Sequence, residues 1–368
     1  MSVHGHYQNR RQRADAGNDR IHAKLLACCK RILLARFGNV DSLTDLGAGH
    51  GADVGRYPAR VRILRVFDFS SNQLITYKER VTTKRPDIKA LFTEFDFTTA
   101  PTFEVIPTPC VQVGLCAHYC WDTNKNARQF MKNLSNFLTP GGIALLTMPD
   151  GGFILYMLRI HWVAAHAYVS LEHAETALVN SSGDCITALK ACGGVKPWKA
   201  EHLAVRCFVS KETVDEELYA CNYDAEMAGG RLSYVVTSHH LADFRPYLNA
   251  SYHLPQDPPI FRQNHGVMYN FSTGEEGDVC VEPLVPMKSF IALANEYGMQ
   301  CVSPLNKKIK TTGPMSVREY LYSNVETHAN ILFETKTFPR NNKITDMDLR
   351  RVDWYCILVL EKSKQLRN

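Results

Sequence analysis

The most informative part of the sequence for fold class is TDLGAGHGADVGRY, residues 44–57. It predicts a short strand that ends in an acid, then a glycine-rich turn, then the start of a helix. A turn of this kind holds the sugar or phosphate of a nucleotide-like ligand against a helix N-terminus. Gly47, Gly49 and Ala52 also satisfy the looser dinucleotide pattern G-x-G-x-x-A. This stretch alone therefore leaves NAD, a phosphate and S-adenosylmethionine open as ligands.

Strand-like and helix-like segments alternate from residue 42 to residue 148. The predicted strands, which are rich in apolar and β-branched residues, are 42–46, 62–69, 88–97, 109–115 and 143–148. The predicted helices follow the glycine turn as far as Pro58 and then occupy 70–84 and 124–138. This alternation predicts a parallel sheet with helices on both faces.

The alternation stops after Pro149. Residues 151–265 read as irregular, with several Gly, Pro and His residues. Order resumes with a predicted helix at 286–299 and a strong strand at 353–362. The sequence therefore indicates one α/β region that is interrupted by a long segment of different character.

Charge and composition limit the class of protein. The 368 residues are 45% apolar and 21% charged, with a formal net charge of +5. These values are typical of a soluble globular protein, and they tolerate a polyanionic partner without requiring one. Residues 1–36 hold eight Arg and Lys against two Asp, so this segment is either a solvated terminus or an arm that contacts phosphates.

The twelve cysteines form no CxxC pair, and no apolar signal region follows Met1. We therefore expect reduced and mostly packed cysteines, no metal site, and a cytosolic or nuclear protein. The most apolar run, 153–171, is interrupted by Arg159, His161 and His166. These residues favour a buried or partner-facing helix over a membrane span.

Acidic residues follow the first three predicted strands, at the edge where an open parallel sheet binds its ligand. Asp45 ends the first strand, and Asp68 ends the second, where its carboxylate can accept hydrogen bonds from two ribose hydroxyls. Asp96 follows the third strand, near the position of an adenine amino group. An acid at this third position, with LTPGG at 138–142 before the fifth strand, favours S-adenosylmethionine over NAD.

A longer stretch carries a specific resemblance. CAHYCWDTNKNARQFMKNLSNFLTPGGIALLTMPDG, residues 116–151, resembles the mRNA cap (guanine-N7) methyltransferases, in which a strand ending in His-Tyr is followed by a helix, a Leu-x-Pro-Gly-Gly turn and a strand closing on Thr-x-Pro-Asp. The segment DLGAGHGADVGRY is similar to the family motif Asp-Leu-Gly-Cys-Gly-Lys-Gly-Gly-Asp, including Asp53. GVMYNFS, CVEPLVPMKSFIALANEYGM and YCILVLEK resemble the C-terminal segments of the family in order, and HYQNRRQR…NDRIHAKLL resembles its N-terminal helix.

This resemblance implies a Rossmann-like class I S-adenosylmethionine-dependent methyltransferase fold of the α/β class. The sheet would be mostly parallel and seven-stranded, with helices on both faces and an inserted segment. The implied parts are a basic N-terminal arm and helix at 1–40, an S-adenosylmethionine-binding core at 41–150, the inserted segment at 151–265, and the C-terminal part of the core with cap-binding elements at 266–368.

The resemblance also implies an activity, which is methyl transfer from S-adenosylmethionine to N7 of the terminal guanosine of GpppN-RNA. The implied partners are capped RNA and an activating protein or another capping-enzyme subunit, with no membrane. A cellular protein would act in the nucleus, and a viral one in the host cytoplasm or the virion.

N7 has a lone pair in the ring plane, so no catalytic base is expected, and the implied residues only position the substrates. The implied cofactor-binding residues, which include the strand-end acids, are His22, Asp45, Gly47, Gly49, Asp53, Asp68, Asp96, Gly114 and Tyr119. The implied cap-binding residues are Asn18, His118, Pro149, Tyr269, Glu282 and Tyr355, and Tyr119 would shape the same pocket. Glu282 is expected to read guanine, because a carboxylate can accept from both N1–H and the N2 amine.

The chain departs from the family pattern at several positions. His22 stands where the family has a lysine that reaches the cofactor, and His50 replaces the lysine of the glycine turn. Gly114 replaces a glutamine on the fourth strand, with Gln112 two residues upstream. These departures keep a catalytically weak cap-binding or regulatory subunit open as an alternative, beside another S-adenosylmethionine-dependent methyltransferase, for instance one that acts on a ribose oxygen. The long inserted segment is either a partner or RNA surface or a lineage-specific elaboration.

Overall fold

The computed structural model describes residues 21–167, 169–194, 207–209, 225–228, 231–234, 267–272, 279–321, 323–324 and 355–364. These residues form two compact units. The core unit comprises residues 21–120, 124–150 and 287–364, and the second unit comprises 121–123 and 151–286.

The core unit is built on one twisted sheet. Its main strands are β1 (Ser42–Leu46), β2 (Ile63–Asp68), β3 (Lys89–Glu94), β4 (Thr108–Gly114), β5 (Leu138–Pro149), β11 (Met299–Val302) and β13 (Tyr355–Lys362). Their order in the sheet is β11-β13-β5-β4-β1-β2-β3, and the two-residue strand β12 (Met315–Ser316) pairs with β13. β1 to β5 pair in parallel, whereas β13 is antiparallel to both of its neighbours. The predicted mostly parallel sheet is confirmed, with seven strands in its main path and β12 as an eighth.

Helices cover both faces of this sheet, as the alternation predicted. The helices of the core unit are α1 (Ile21–Phe37), α2 (Ser71–Lys84), α3 (Asn124–Phe137) and α7 (Met287–Glu296). The apolar residues of α3, which recur at helical spacing, are buried, and the Phe137 ring lies 4.8 Å from the Phe67 ring on β2. α1 lies on the opposite face. Val113 is in register with Phe67 and shares its face, so the next residue, Gly114, faces the other way. Lys30 of α1 lies against Gly114 on that side.

Two predictions about local structure near the site are wrong. The helix expected after the glycine turn is only a three-residue 3-10 turn, Val54–Arg56, because Gly51 adopts a left-handed φ of +77° and Pro58 follows closely. β5 begins at Leu138, so LTPGG lies inside the strand, where Gly141 adopts a φ of +74°. The glycine turn therefore does not present its ligand to a helix N-terminus.

The second unit corrects the expectation that residues 151–265 are irregular. It begins with three helices, α4 (Gly151–Ala167), α5 (Leu171–Asn180) and α6 (Cys185–Ala191). Side chains of Ser170 and Asp184 cap α5 and α6. α4 confirms the helix predicted in the apolar run, and among the described residues no helix is both long and apolar enough to cross a membrane.

The described strands of the second unit form two small antiparallel sheets. The strands are β6 (Cys207–Val209), β7 (Ala225–Ala228), β8 (Arg231–Tyr234), β9 (Val267–Ser272) and β10 (Val279–Pro283). One sheet has the order β10-β9-β6, and the other is the pair β7-β8. The first sheet contains two of the predicted cap-binding positions.

Candidate active site

The glycine turn lies where the carboxyl ends of β1, β2 and β4 meet. Gly47 adopts a φ of +67°, and the backbone N–H groups of Gly47 and Ala48 donate to the carbonyl of Phe67 at the end of β2. A Cβ on Gly47 would lie 2.2 Å from the Cys116 Sγ atom, beyond the end of β4. Only glycine can bring the turn this close to the neighbouring strand, as the sequence predicted for a nucleotide-binding loop.

Asp68 holds this turn from the end of β2. Its carboxylate accepts the backbone N–H of Gly49 at 2.7 Å and that of Ser70 at 2.9 Å. Burial raises the pKa of Asp68, and the two backbone donors partly oppose that shift. The predicted ribose-binding acid thus lies directly against the glycine turn, with its carboxylate fixed in orientation by the backbone.

Asp45 lies beneath the turn and is fully enclosed. Its Oδ2 atom accepts the hydroxyls of Tyr57 at 2.5 Å and Tyr77 at 2.8 Å, and the two hydroxyls lie 2.8 Å apart. Burial raises the pKa of Asp45 to about 7, against the opposing effect of the Tyr57 hydrogen bond. This carboxylate therefore ties β1 to α2 and to the end of the glycine turn. Tyr57 and Tyr77 were not among the predicted site residues.

Asp53 is the centre of a charged cluster. Lys30 Nζ lies 3.0 Å from Asp53 Oδ2, Gln112 Nε2 donates to the same oxygen at 2.8 Å, and the Arg56 guanidinium contacts Oδ1. Burial alone would raise the pKa of Asp53, but the charges of Lys30 and Arg56 outweigh it and lower the pKa below its ordinary value. Lys30 was missed by sequence reasoning, because nothing in α1 marks which of its cations turns inward.

Asp96 differs from these three acids. It lies two residues beyond β3, is exposed to solvent, and accepts the backbone N–H and the hydroxyl of Thr98 at 2.9 and 2.7 Å. The structure therefore keeps Asp96 at the predicted edge of the sheet but on an open loop.

Four predicted cap residues lie at the same edge of the core unit. His118 is buried in the 3-10 turn after β4, and its ring centroid lies 4.0 Å from that of Tyr119. Pro149 ends β5 directly opposite Tyr355, which begins β13, and both are buried. The sheet thus pairs two residues that are about two hundred positions apart in the chain.

The remaining cap residues belong to the second unit or lie outside the described part. Glu282 on β10 is the register partner of Tyr269 on β9, and Glu282 is buried. The segment after Glu282 packs tightly, since a Cβ on Gly151 would lie 1.9 Å from the carbonyl oxygen of Val285. His22 lies in the first turn of α1, where only the backbone is described, and Asn18 lies outside the described residues.

The arrangement fits a nucleoside with a charged side arm. Asp68 and the glycine turn present a carboxylate and a close backbone surface, and the cluster around Asp53 presents cations and an amide beside Gly114. Within the described ranges, no group of three or more His, Cys, Asp or Glu residues could hold a metal ion, and the nine described cysteines are free thiols. The hydrogen-bonded carboxylates of Asp68 and Asp53 suit the site to binding and orienting a ligand.

The strand order and this site together define a class. The antiparallel β13 between β5 and β11 distinguishes the strand order of this sheet from the order 3-2-1-4-5-6 of dinucleotide-binding folds. It is the order of the class I S-adenosylmethionine-dependent methyltransferases, so the predicted fold class is confirmed.

Sequence comparison shows a similarity to one family. Residues 2–171 match the model of the mRNA (guanine-N(7))-methyltransferase domain. The chain is 29% identical over 141 residues to the mRNA cap guanine-N(7) methyltransferase of Candida glabrata. The aligned region makes up 35% of this chain and 34% of that protein. It is 39% identical over 57 residues to mRNA cap guanine-N(7) methyltransferase 1 of Oryza sativa, covering 16% and 15%. The chain thus resembles this family, as its motifs indicated, and spans a third or less of the length of these relatives.

Solved structures are similar over variable lengths. A protein described as a putative S-adenosylmethionine-dependent methyltransferase from Listeria monocytogenes matches with a TM-score of 0.42 at 11% identity, covering 93% of this chain and 98% of that one. The N-methyltransferase NodS of Bradyrhizobium japonicum, in complex with S-adenosyl-L-homocysteine, matches with a TM-score of 0.32 at 19% identity, covering 40% and 75%.

Proposed function

We propose that the chain is an mRNA cap guanine-N7 methyltransferase that transfers a methyl group from S-adenosylmethionine to the terminal guanosine of GpppN-RNA. The observation that carries the proposal is the family match over residues 2–171, which contains the glycine turn and the ends of β1 to β5. The buried acids at those strand ends support it, because they are the groups that a ribose and an amino acid side arm require.

Different residues of the chain would bind different parts of the cofactor. Asp68 would accept the ribose hydroxyls, and the close backbone of Gly47 and Gly49 would leave room for the sugar. Asp96 would accept the adenine amino group, and Tyr119 would lie along the ligand. When bound, S-adenosylmethionine supplies a methyl group that its sulfonium has already activated. The predicted roles of Asp45, Asp53, His22 and Gly114 remain part of this proposal.

Guanine N7 needs no deprotonation, so the protein has to orient the two substrates and exclude water. This work is done by proximity and by fixed electrostatics rather than by a general base. Pro149 and Tyr355, which are buried neighbours at the sheet edge, would supply an apolar wall. His118 would pair with O6 or a ribose oxygen of the cap.

Guanine selectivity is assigned to Glu282. A buried carboxylate that accepts from N1–H and the N2 amine discriminates strongly, because a base without those donors leaves it unpaired. Tyr269, its register partner, and Asn18 in the N-terminal segment are the other proposed cap contacts. The proposed partners are capped RNA, reached in part by the basic N-terminal arm, and an activating protein or a further capping-enzyme subunit. The proposed location is the nucleus for a cellular protein.

The test is product analysis. The protein is incubated with GpppA-RNA and S-adenosylmethionine labelled in its methyl group, the RNA is digested, and the labelled cap nucleotide is identified. We expect N7-methylguanosine. Label on a ribose oxygen would replace the proposal with a ribose methyltransferase. Binding of S-adenosylmethionine without any transfer would replace it with a cap-binding or regulatory subunit.

A further inference from the structure

A small polar recess surrounds Gly114, beside the glycine turn. A Cβ on Gly114 would lie 3.0 Å from Lys30 Nζ and 3.7 Å from Asp53 Oδ2. The Lys30 ammonium therefore occupies the space that a side chain at position 114 would take. The resemblance predicted a cofactor contact at Gly114, and the structure instead brings a cation there from α1.

Lys30 is the cation nearest to Gly114. It pairs with Asp53 and also interacts electrostatically with Asp45. The side chains of Lys30 and Asp53 are only 15% and 11% exposed, so solvent screens these charges weakly. An ammonium has three N–H donors, so Lys30 can pair with Asp53 and still donate to a ligand that brings a carboxylate.

The recess also holds polar atoms without a partner. Gln112 is 4% exposed, and its Nε2 donates to Asp53, which leaves its Oε1 atom buried and unpartnered within the described residues. The Thr147 hydroxyl is likewise buried and unpartnered there, on the residue directly opposite Gly114 in the ladder between β4 and β5. Buried polar groups of this kind ordinarily have partners, so a donor is expected to reach Gln112 Oε1.

We propose that Lys30 and Gln112, on either side of Gly114, bind the amino acid end of the cofactor, with Lys30 donating to its α-carboxylate and Gln112 accepting from its α-ammonium. The inference rests on the proposed function only as far as the class of cofactor. It explains how a chain with His22 and Gly114 at two expected contact positions still presents a cation and an amide to the ligand. Gly114 contributes because it has no side chain, which leaves room for the Lys30 ammonium.

The test compares two ligands by calorimetry. S-adenosylhomocysteine carries the amino acid end, and 5′-methylthioadenosine lacks it. Lys30→Met should weaken binding of S-adenosylhomocysteine about 10- to 100-fold, which is the loss expected for a hydrogen bond to a charged group, and leave 5′-methylthioadenosine within about twofold. Arg31→Met, which removes the adjacent exposed cation of the same helix, should change neither affinity.

Two further variants test the recess while retaining Lys30, the cation that pairs with Asp53. Gln112→Leu should reduce the preference for S-adenosylhomocysteine in the same direction. Gly114→Ala should do so more weakly, because its Cβ would lie 3.0 Å from the Lys30 ammonium and push it slightly aside. Equal losses for both ligands, or an unchanged preference in all three variants, would overturn the assignment.

The outcomes separate this inference from the proposed function. A protein that shows these ligand preferences but methylates no capped RNA supports the recess and contradicts the cap methyltransferase. A protein that binds neither ligand contradicts both.

Discussion

The proposed cofactor-binding residues and the proposed guanine-binding residues, here called the cofactor half and the guanine half, are held in different ways, each within its own unit. In the core unit, the carboxylates of Asp45, Asp53 and Asp68 are each fixed by hydrogen bonds from other elements. In the second unit, Glu282 is positioned by its strand pairing with Tyr269. A one-residue register shift would turn Glu282 to the other face of its sheet. The cofactor half therefore depends on hydrogen bonds between separate elements, and the guanine half depends also on the register of one strand pair.

The largest effect should separate the two halves completely. Glu282→Gln keeps the size of the side chain but turns an amide donor toward the guanine amine. One lost charge-assisted bond and one unpaired donor should cost about 3–5 kcal/mol, or roughly two to four decades in kcat/KM for GpppN-RNA. Binding of S-adenosylhomocysteine should stay the same.

The control for this variant is Glu296→Gln, which makes the same change at a half-exposed glutamate paired with Arg128. It should leave activity within about twofold. Methylation by Glu282→Gln within threefold of the wild-type rate would remove Glu282 from the guanine site.

The second prediction concerns the proton on Asp45 and its effect on the free energy of unfolding. Folded Asp45 retains its proton up to about pH 7, whereas an unfolded Asp releases it near pH 3.9. The stability that this protonation contributes is fully present below about pH 4 and is lost as the pH rises to about 7. Asp45→Asn should therefore flatten the fall in unfolding free energy between these pH values, by up to about 4 kcal/mol.

Urea unfolding at several pH values measures this difference. Asp41→Asn is the control, since Arg60 lowers the pKa of that exposed carboxyl and its contribution has the opposite sign. Parallel curves of stability against pH for the wild type and Asp45→Asn would show that Asp45 is not held in its protonated form.

The third prediction concerns the hydrogen bonds that Asp68 is proposed to make with the ribose. Asp68→Ala should weaken binding of S-adenosylmethionine at least tenfold, because each charge-assisted hydrogen bond contributes about 1.5–3 kcal/mol. The thermal midpoint should show a folded protein. Asp87→Ala, at the opposite end of β3 and exposed, should bind as the wild type does. Unchanged affinity in Asp68→Ala would exclude Asp68 from the site.

The smallest effect is expected at the basic N-terminal segment. Deleting residues 1–16 removes Arg10, Arg11 and Arg13. If they contact phosphates, RNA affinity should fall, and the slope of log K against log salt should decrease by up to about 2, at about 0.7 per contact with a single strand. Binding of S-adenosylmethionine should not change. An identical salt slope would leave this segment without a role in RNA binding.

The sequence predicted the sheet well, because its signals are local. The strands β1 to β5 are short apolar runs between turn residues, and the stripe on α3 has a clear helical period. The helix expected after the glycine turn failed for a local reason too, since Gly51 and Pro58 leave too few residues in helical conformation. Of the helices from 151 to 191, α4 was expected from its apolar run, whereas α5 and α6 were missed because helices of ten and seven residues show few helical periods.

The sequence predicted only those site residues that lie at strand ends or in the glycine turn. Asp45, Asp53 and Asp68 are visible because each follows or ends a recognisable element. Lys30 and Tyr77 are not, because they meet Asp53 and Asp45 across 23 and 32 residues, and many other cations and aromatic residues have the same local pattern. Such contacts depend on how helices pack on the sheet, which periodicity does not specify.

The position of β13 has a consequence for synthesis. This strand lies inside the sheet, between β5 and β11, and Tyr355 pairs with Pro149 from about two hundred residues earlier. Until the ribosome has released residues 355–362, β5 presents an open edge of unpaired backbone groups, which invites association with other chains. The nascent protein must keep that edge protected through most of its translation, so a chaperone that binds exposed strands should increase the yield of active protein more than one that acts after release.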